Sequence, residues 1–304
     1  MSLLTALMGR GTSGFGYRST AEEVIGGLDL AGRTFLLTGC NSGIGLETLR
    51  VLALGGGHVI AAARTEDRAR EALRSVGATG TAAACELSEP ASVRACVEAV
   101  RALGRPLDAI ICNAGIMALP RLTQKAGIEL QFLTNHIGHF ILVNGLVERL
   151  SPDGRVVMVS SEAHRRAPAE GILFDDLSGG KRYRPWERYG QSKLANLLFA
   201  RELSRRLATG QTAGALHPGV IRTNLARHMG PAARAAIAVA GPLFLKTIAQ
   251  GAATQCYLAA HPDGAAASGR YYADCNPRQP SRQGQDDALA ARLWEVSEQI
   301  VARL

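Results

Sequence analysis

Short, wholly apolar runs alternate with segments of helical period along most of this chain, and that alternation leaves few folds open to it. Thr34–Thr38, His58–Ala63, Gly80–Ala84, Leu107–Cys112, Arg155–Ser160 and Ala213–Leu216 read as strands. Gly43–Leu54, Glu66–Val76, Glu89–Leu103, Gly127–Leu150 and Trp186–Leu207 read as the helices between them. A strand without polar alternation is buried on both faces, the condition of a parallel sheet with helices on either side. Neither a linker nor an internal repeat divides the series. The expectation is a single doubly wound α/β domain over residues 31–304 with a mostly parallel sheet, preceded by an N-terminal arm over 1–30. Within the arm, Ser19 or Thr20 with Glu22 or Glu23 behind it reads as a helix N-cap.

Composition removes several function classes. Hydrophobic residues make up 47% of the 304 and charged ones 20%, which is globular. The formal charge of +8 invites a nucleic-acid reading, but the arginines are scattered on predicted helix faces, as at Arg68, Arg70 and Arg74, with no aromatic–basic interleaving. An anionic cofactor or substrate accounts for a basic surface more simply. The six cysteines show no paired metal spacing and lie mostly in apolar runs, which fits a reducing cytoplasm. The longest apolar run, 232–245, contains Arg234 and Pro242 and falls short of a bilayer span. A cytoplasmic protein without a membrane span is expected.

The most specific signal is the turn after the first strand, where Gly39, Gly43 and Gly45 are spaced G-x-x-x-G-x-G. Glycine is needed where a pyrophosphate approaches the backbone and where φ is positive. The helix start that follows offers unpaired N–H groups and a positive dipole end to phosphate. Further along, Tyr189 and Lys193 are four apart on a predicted helix and therefore share one face. A phenol beside an ammonium is a proton donor or acceptor for a carbonyl/alcohol pair, since the cation favours phenolate. His136 and His139 are three apart without carboxylate or thiol partners nearby, so metal binding is not expected.

In these motifs the chain resembles the short-chain dehydrogenase/reductase family, in its retinol dehydrogenase-like branch and close to the oxidoreductase portion of WW-domain oxidoreductases. The likeness runs from about Ser19 to the C-terminus and includes Tyr271–Cys275 and Arg292–Ser297. It implies a Rossmann-type domain and cofactor contacts at Gly39, Asn41, Ser42, Gly43, Ile44 and Gly45. Ala63 stands where the family's NAD users carry Asp, and Arg64 follows it, which implies NADP(H) gripped through the 2′-phosphate. Glu86-Leu87 takes the place of the family's Asp-Leu near adenine. Cys112-Asn113-Ala114-Gly115 takes that of its NNAG element. Pro218, Gly219, Val220 and Thr223 belong to its nicotinamide loop, and Tyr189 and Lys193 contact the cofactor as well as the substrate.

The resemblance completes a catalytic set of Asn135, Ser161, Tyr189 and Lys193. Ser161 is selected over Ser160 as the hydroxyl on the substrate oxygen, Ser160 being read as a strand-end hydroxyl satisfied by backbone. Asn135 is expected to place Lys193 through water. The function implied is an NADP(H)-dependent oxidoreductase interconverting an alcohol and a carbonyl. An apolar lid over about 222–250 points to a retinoid-, steroid-, aromatic- or long-chain-like substrate. The alternatives are an NADP(H)-sensing binding protein that has lost catalysis, and a scaffold acting through the arm. The stretch from Ser161 to Tyr189 is longer than in classical members and carries Phe174 and Leu177, with Pro185 before the Tyr189 helix. An excursion packed there would cover part of the surface that pairs helices between subunits, so a monomer or a dimer using another surface is expected.

Overall fold

The computed structural model describes residues 9–221 and 245–304. Its main sheet is built from β1 (Thr34–Thr38), β2 (His58–Ala63), β3 (Gly80–Ala84), β4 (Leu107–Cys112), β5 (Leu150–Val159), β6 (Thr212–His217), β7 (Tyr271–Ala273) and β8 (Asn276–Arg278). They lie in the order β8-β7-β6-β5-β4-β1-β2-β3. All neighbours are parallel except β8, which returns antiparallel along the edge. The strand order reverses between β1 and β4, and a ligand crevice opens at such a switch point, beyond the carboxyl ends of the strands.

The helices are α1 (Ala21–Ile25), α2 (Gly43–Leu54), α3 (Glu66–Ser75), α4 (Pro90–Ala102), α5 (130–146), α6 (Pro185–Arg206), α7 (Ile248–Ala260) and α8 (Asp287–Val301). Successive strand residues face opposite sides, and each side meets its own core. Leu36, Ile60, Ile110, Val156 and Met158 pack under α4, α5, α6 and α8. Leu37, Val59, Ile111, Val157 and Leu216 pack under α1, α2, α3 and α7. This two-sided burial is why the strands carry no polar alternation. All six cysteines are unpaired and buried within these layers.

The uniform helix expected over Gly127–Leu150 is corrected. Ile128–Glu129 pairs with Gln124–Lys125 as a small antiparallel ribbon. α5 then runs as Leu130–Phe132, a π turn at Leu133–Ile137, and Gly138–Leu146. Leu150 already belongs to β5. Apolar period does not report the π turn here, because residues 131–143 are buried on every face and leave no polar stripe whose phase could break.

Residues 9–30, read as an arm, lie against the body. Thr20 caps α1 in a capping box with Glu23, and Ala21, Val24 and Ile25 are buried. Asn276 holds the preceding stretch, accepting from the Ser13 amide at 3.1 Å and donating to the Phe15 carbonyl at 3.0 Å.

The stretch before α6 is fastened from inside. Arg188 is fully buried and ion-paired to Asp176. Its guanidinium also donates to the Asp176 carbonyl at 2.7 Å and twice to the Arg182 carbonyl, at 3.2 and 2.5 Å. The Asp176 carboxylate in turn accepts from the amides of Lys181 and Arg182 at 3.1 and 3.3 Å. Burial alone would raise its pKa; the Lys181 amide, Arg188 and the Arg182 amide outweigh this and hold it below the ordinary value. Arg188 precedes Tyr189, so the excursion and the start of α6 are one unit.

Arg188→Met would take the cation from the Asp176 carboxylate and the guanidinium donors from the carbonyls of Asp176 and Arg182. A loss of about 3–5 kcal/mol in urea unfolding is expected, the cost typical of breaking a buried ion pair by removing one partner. A loss near that of an exposed pair, below about 1 kcal/mol, would contradict this role.

Candidate active site

At the end of β1 the chain turns through Gly39 and Gly43, whose φ angles are +69° and +53°. A Cβ on Gly45 would lie 2.0 Å from the Gly39 carbonyl oxygen, so the first turn of α2 closes against the strand end only without a side chain. Ser42 is the N-cap of α2 but makes no side-chain cap bond, and the first turn carries no acid. Asn41, Ser42 and Gly43 are exposed, while Ile44 is half-buried. This leaves a helix start with unpaired amides facing the crevice, the arrangement that accepts phosphate.

The end of β2 is held beside this turn, the Gly39 amide donating to the Ala62 carbonyl at 2.9 Å. Arg64 follows Ala63 there, exposed, and pairs with no carboxylate among the described residues. Glu86 and Leu87, expected near adenine, lie just past β3, where the Cys85 amide donates to the Ala63 carbonyl at 2.6 Å. The Glu86 carboxylate accepts from the amide and hydroxyl of Ser88 at 3.1 and 3.0 Å. Leu87 is buried in the core, its carbonyl tight against Gly138 of α5.

Asn113 and Ala114 brace the glycine turn from below. The Asn113 amide group donates to the carbonyls of Thr38 and Gly39 at 2.9 and 3.3 Å. The Thr38 hydroxyl accepts from the backbone amides of Asn113 and Ala114 at 3.0 and 3.1 Å. It also meets His139 Nε2 at 2.9 Å, and His139 Nδ1 reaches the Asn135 carbonyl at 2.9 Å. Only one tautomer satisfies both contacts: Nδ1–H donates to the carbonyl and Nε2 accepts the threonine proton. Burial, offset in part by that carbonyl and reinforced by Lys193, pushes the His139 pKa down to about 4, so the ring is neutral near pH 7. Thr38 was not singled out from the sequence, and His139 was weighed there only as a metal ligand; the signal for its role was a histidine four residues past Asn135.

Asn135 lies in the π turn, fully buried. Its carbonyl oxygen accepts from the Ile116 amide at 2.8 Å, and its NH2 donates to the Ile116 carbonyl and to Ser192 Oγ, both at 2.9 Å. Ser192 donates on to the Tyr189 carbonyl at 2.8 Å. A Cβ on Gly115 would come within 3.1 Å of Asn135 Oδ1 and 3.3 Å of Lys193 Nζ, so this glycine leaves room for both groups. Lys193 is buried and donates to the Val159 carbonyl at 2.9 Å. Burial lowers its pKa to about 8.

Tyr189 shares its helix face with Lys193, whose Nζ is 5.8 Å from the phenol ring centre. Burial pushes the phenol up to about 12, while a hydrogen bond to Ser161 pulls it the other way. Ser161 also accepts from the Ala163 amide at 3.1 Å. Ser160 turns inward to the Lys193 carbonyl at 2.7 Å, as expected of a strand-end hydroxyl. Four side chains from β5, α5 and α6 thus converge beside the glycine turn, with a phenol, a hydroxyl and an ammonium available to a bound carbonyl. Gly219 (φ +94°) closes the other side in Pro218-Gly219-Val220. Thr223, and the lid expected over 222–250 as far as residue 244, lie outside the described residues.

The segments that carry these groups also expose apolar side chains. Met117, Trp186 and Val220 are exposed, and the Trp186 ring stands edge-on to Tyr189 at 6.1 Å.

Comparison with known proteins agrees with this geometry. The family model described as short chain dehydrogenase matches residues 33–174. Short-chain dehydrogenase TIC 32 A, chloroplastic, of Brassica napus is 43% identical, over 97% of this chain and 96% of its own. Retinol dehydrogenase 14 of Mus musculus is 39% identical, over 90% of this chain and 87% of its own. A crystal structure of a Mycobacterium Paratuberculosis protein superimposes with a TM-score of 0.74 at 34% identity, covering 92% of this chain and 97% of that one. With such identity carried over nearly the full length of its relatives, this chain belongs to the short-chain dehydrogenase family of oxidoreductases, in the branch that includes retinol dehydrogenase 14.

Proposed function

We propose that this chain interconverts an alcohol and a carbonyl with NADP(H), Tyr189 exchanging the proton. The observation that carries the reading is the convergence of Tyr189, Ser161 and Lys193 beside a glycine turn shaped for pyrophosphate. A nicotinamide bound in the crevice supplies or accepts the hydride. Ser161, already bonded to the phenol, holds the substrate oxygen and stabilises charge developing on it. Lys193 holds the ribose and lowers the phenol pKa from its high resting value. Asn135, bonded to Ile116 and Ser192, is a positioning residue that fixes the wall against which Lys193 stands. The glycine turn, Asn41, Ser42, Ile44 and the Pro218–Val220 loop hold the cofactor, and Asn113, Ala114 and Gly115 support it through backbone and turn geometry.

The preference for the 2′-phosphate rests on Arg64, which is exposed at the end of β2 with no carboxylate partner and follows Ala63 where an acid would favour a free hydroxyl. The substrate class, apolar and retinoid-, steroid-, aromatic- or long-chain-like, is supported by the exposed side chains of Met117, Trp186 and Val220. A purely sensing protein would have no use for the complete proton-transfer set, so turnover of any carbonyl with NADPH separates the two readings. Six unpaired cysteines favour a reducing compartment, with the cytoplasm proposed; TIC 32 A carries a chloroplastic label.

A monomer, or a dimer through another surface, is favoured by α8 more than by the excursion before α6. Trp294 of α8 stacks on Phe199 of α6 at 5.6 Å and meets Phe140 of α5 at 5.1 Å. Ser297 of α8 bonds His136 of α5 at 2.8 Å. These contacts support the reading, because α8 occupies surface of α5 and α6 that a second subunit would otherwise need.

Four outcomes follow. Tyr189→Phe should lose about 10²–10⁴-fold in kcat, the usual worth of an acid–base group, with NADPH affinity retained. In the wild type, oxidation, which needs the phenolate, should gain kcat/KM as pH rises, and reduction, which needs the phenol, should lose it at the alkaline end. A Tyr189→Phe enzyme with near-normal kcat would remove the assignment. Arg64→Ala should lower the NADPH-over-NADH preference by about 10–100-fold, the worth of a charge-assisted hydrogen bond; an unchanged ratio would clear Arg64 of that role. Light scattering should give a monomer or dimer, and a tetramer assembled through α5 and α6 would overturn the view that α8 seals that face.

A further inference from the structure

Lys246, two residues before α7, has no exposed side-chain surface. A buried ammonium requires a partner, and Asp274 supplies it at 2.6 Å. The same ammonium stands 5.0 Å from the ring centre of Tyr17. The chemistry proposed above uses none of these three residues. They come from remote stretches: the N-terminal arm, the approach to α7, and the turn between β7 and β8.

That turn is itself unusual. Asp274 and Cys275 both have left-handed backbones, with φ of +55° and +60°, and neither is glycine. A two-residue hairpin turn of this shape ordinarily uses Asn or Gly. Such a conformation persists where the surroundings fix it. Here the Cys275 amide donates to Thr254 Oγ1 at 3.1 Å, and Asp274 is drawn to Lys246, with Arg278 at 3.7 Å on its other oxygen.

The aliphatic stem of Lys246 crosses beneath the nicotinamide-side loop. A Cβ on Gly219 would lie 2.5 Å from Lys246 Cδ, so the loop rests directly on the stem. The Lys246 amide donates to the Val220 carbonyl at 2.9 Å, and Ile221 and Lys246 form a parallel bridge. The arm is held over the pair from both sides. Gln250 donates to the Arg18 carbonyl at 3.2 Å, and the Phe15 ring meets Tyr257 edge-on at 5.9 Å.

We infer that the Lys246–Asp274 pair, closed over by Tyr17 of the N-terminal arm, is the strut that sets the height of the Pro218–Val220 loop and with it the nicotinamide half of the dinucleotide site. Lys246, Asp274 and Tyr17 are positioning residues, and the inference rests on the dinucleotide reading of the crevice given above. The adenosine half is held on the opposite side, by the glycine turn and the end of β2. A defect in the strut is therefore felt by the whole dinucleotide but not by its adenosine half.

The full-length Lys246→Ala, Asp274→Asn and Tyr17→Ala proteins are titrated with NADPH and with 2′,5′-ADP, and in parallel with NADH and ADP. Expected is a weakening of NADPH binding by about tenfold, with the KM for NADPH rising in step, since small displacements of a positioning group cost this much or more. Binding of 2′,5′-ADP should stay within about twofold of wild type, the range of an untouched site. Asn keeps the volume of Asp and tolerates the left-handed turn, so Asp274→Asn and Tyr17→Ala carry the test if Lys246→Ala does not fold. Parallel loss of both ligands would mean general damage and overturn the inference, as would unchanged NADPH binding in these proteins. A wild type that prefers NADH and ADP refutes the NADP(H) reading alone. The same ratio, taken with NADH and ADP, then decides the strut.

Discussion

The site depends on one buried hydroxyl. Thr38 closes β1, an interior strand of the sheet between β4 and β2, and its oxygen receives the two amides that follow β4 while its proton goes to His139 of α5. Through His139 the same contact reaches the carbonyl of Asn135 in the π turn. A buried amide without an acceptor costs about 1–3 kcal/mol, so the three elements are obliged to meet at this point. The glycine turn, the Asn113–Gly115 segment and the wall behind Lys193 are thereby placed relative to one another before any ligand binds. Such preorganisation is what proton transfer to a developing alkoxide requires.

The electrostatics at that wall are built from burial more than from charge. Lys193 is driven down to about 8 and Tyr189 up to about 12 by desolvation. The two shifts move the ammonium toward neutrality and the phenol away from it, so their proton affinities are drawn apart until a ligand changes the surroundings. Ser161 and the Val159 carbonyl then set direction, one bonded to the phenol and the other to the ammonium.

Much of the sheet was legible because its code is local. A strand buried on both faces has to be apolar, and a helix that follows a glycine turn has to start where the glycines end, so β1, α2, β2 and β4 coincide with their expected limits. Tyr189, Lys193 and Ser161 were legible through spacing and resemblance. What escaped notice was set by tertiary contact. The π turn at Asn135 is held by Ile116 and Ser192, 19 and 57 residues away in sequence. Arg188 looked like any helix-surface arginine until the chain folded Asp176 onto it. Lys246 and Asp274 are 28 residues apart, and nothing local distinguishes either from a solvated charge. The arm was read as a separate piece because its anchor, Asn276, lies at the far end of the chain.

The burial of every cysteine has a consequence for chemical durability. Cys40 sits within the glycine turn itself, yet it is fully enclosed and its thiol is pushed up to about 12 by burial; Cys275, beside the strut, is raised to about 12 in the same way. Alkylation and oxidation proceed through the thiolate, and neither group offers one. Under the function proposed above, carbonyl compounds entering the crevice are electrophiles that would meet hydroxyls, amides and a protonated phenol there, with Cys40 and Cys275 enclosed behind the packing of the sheet.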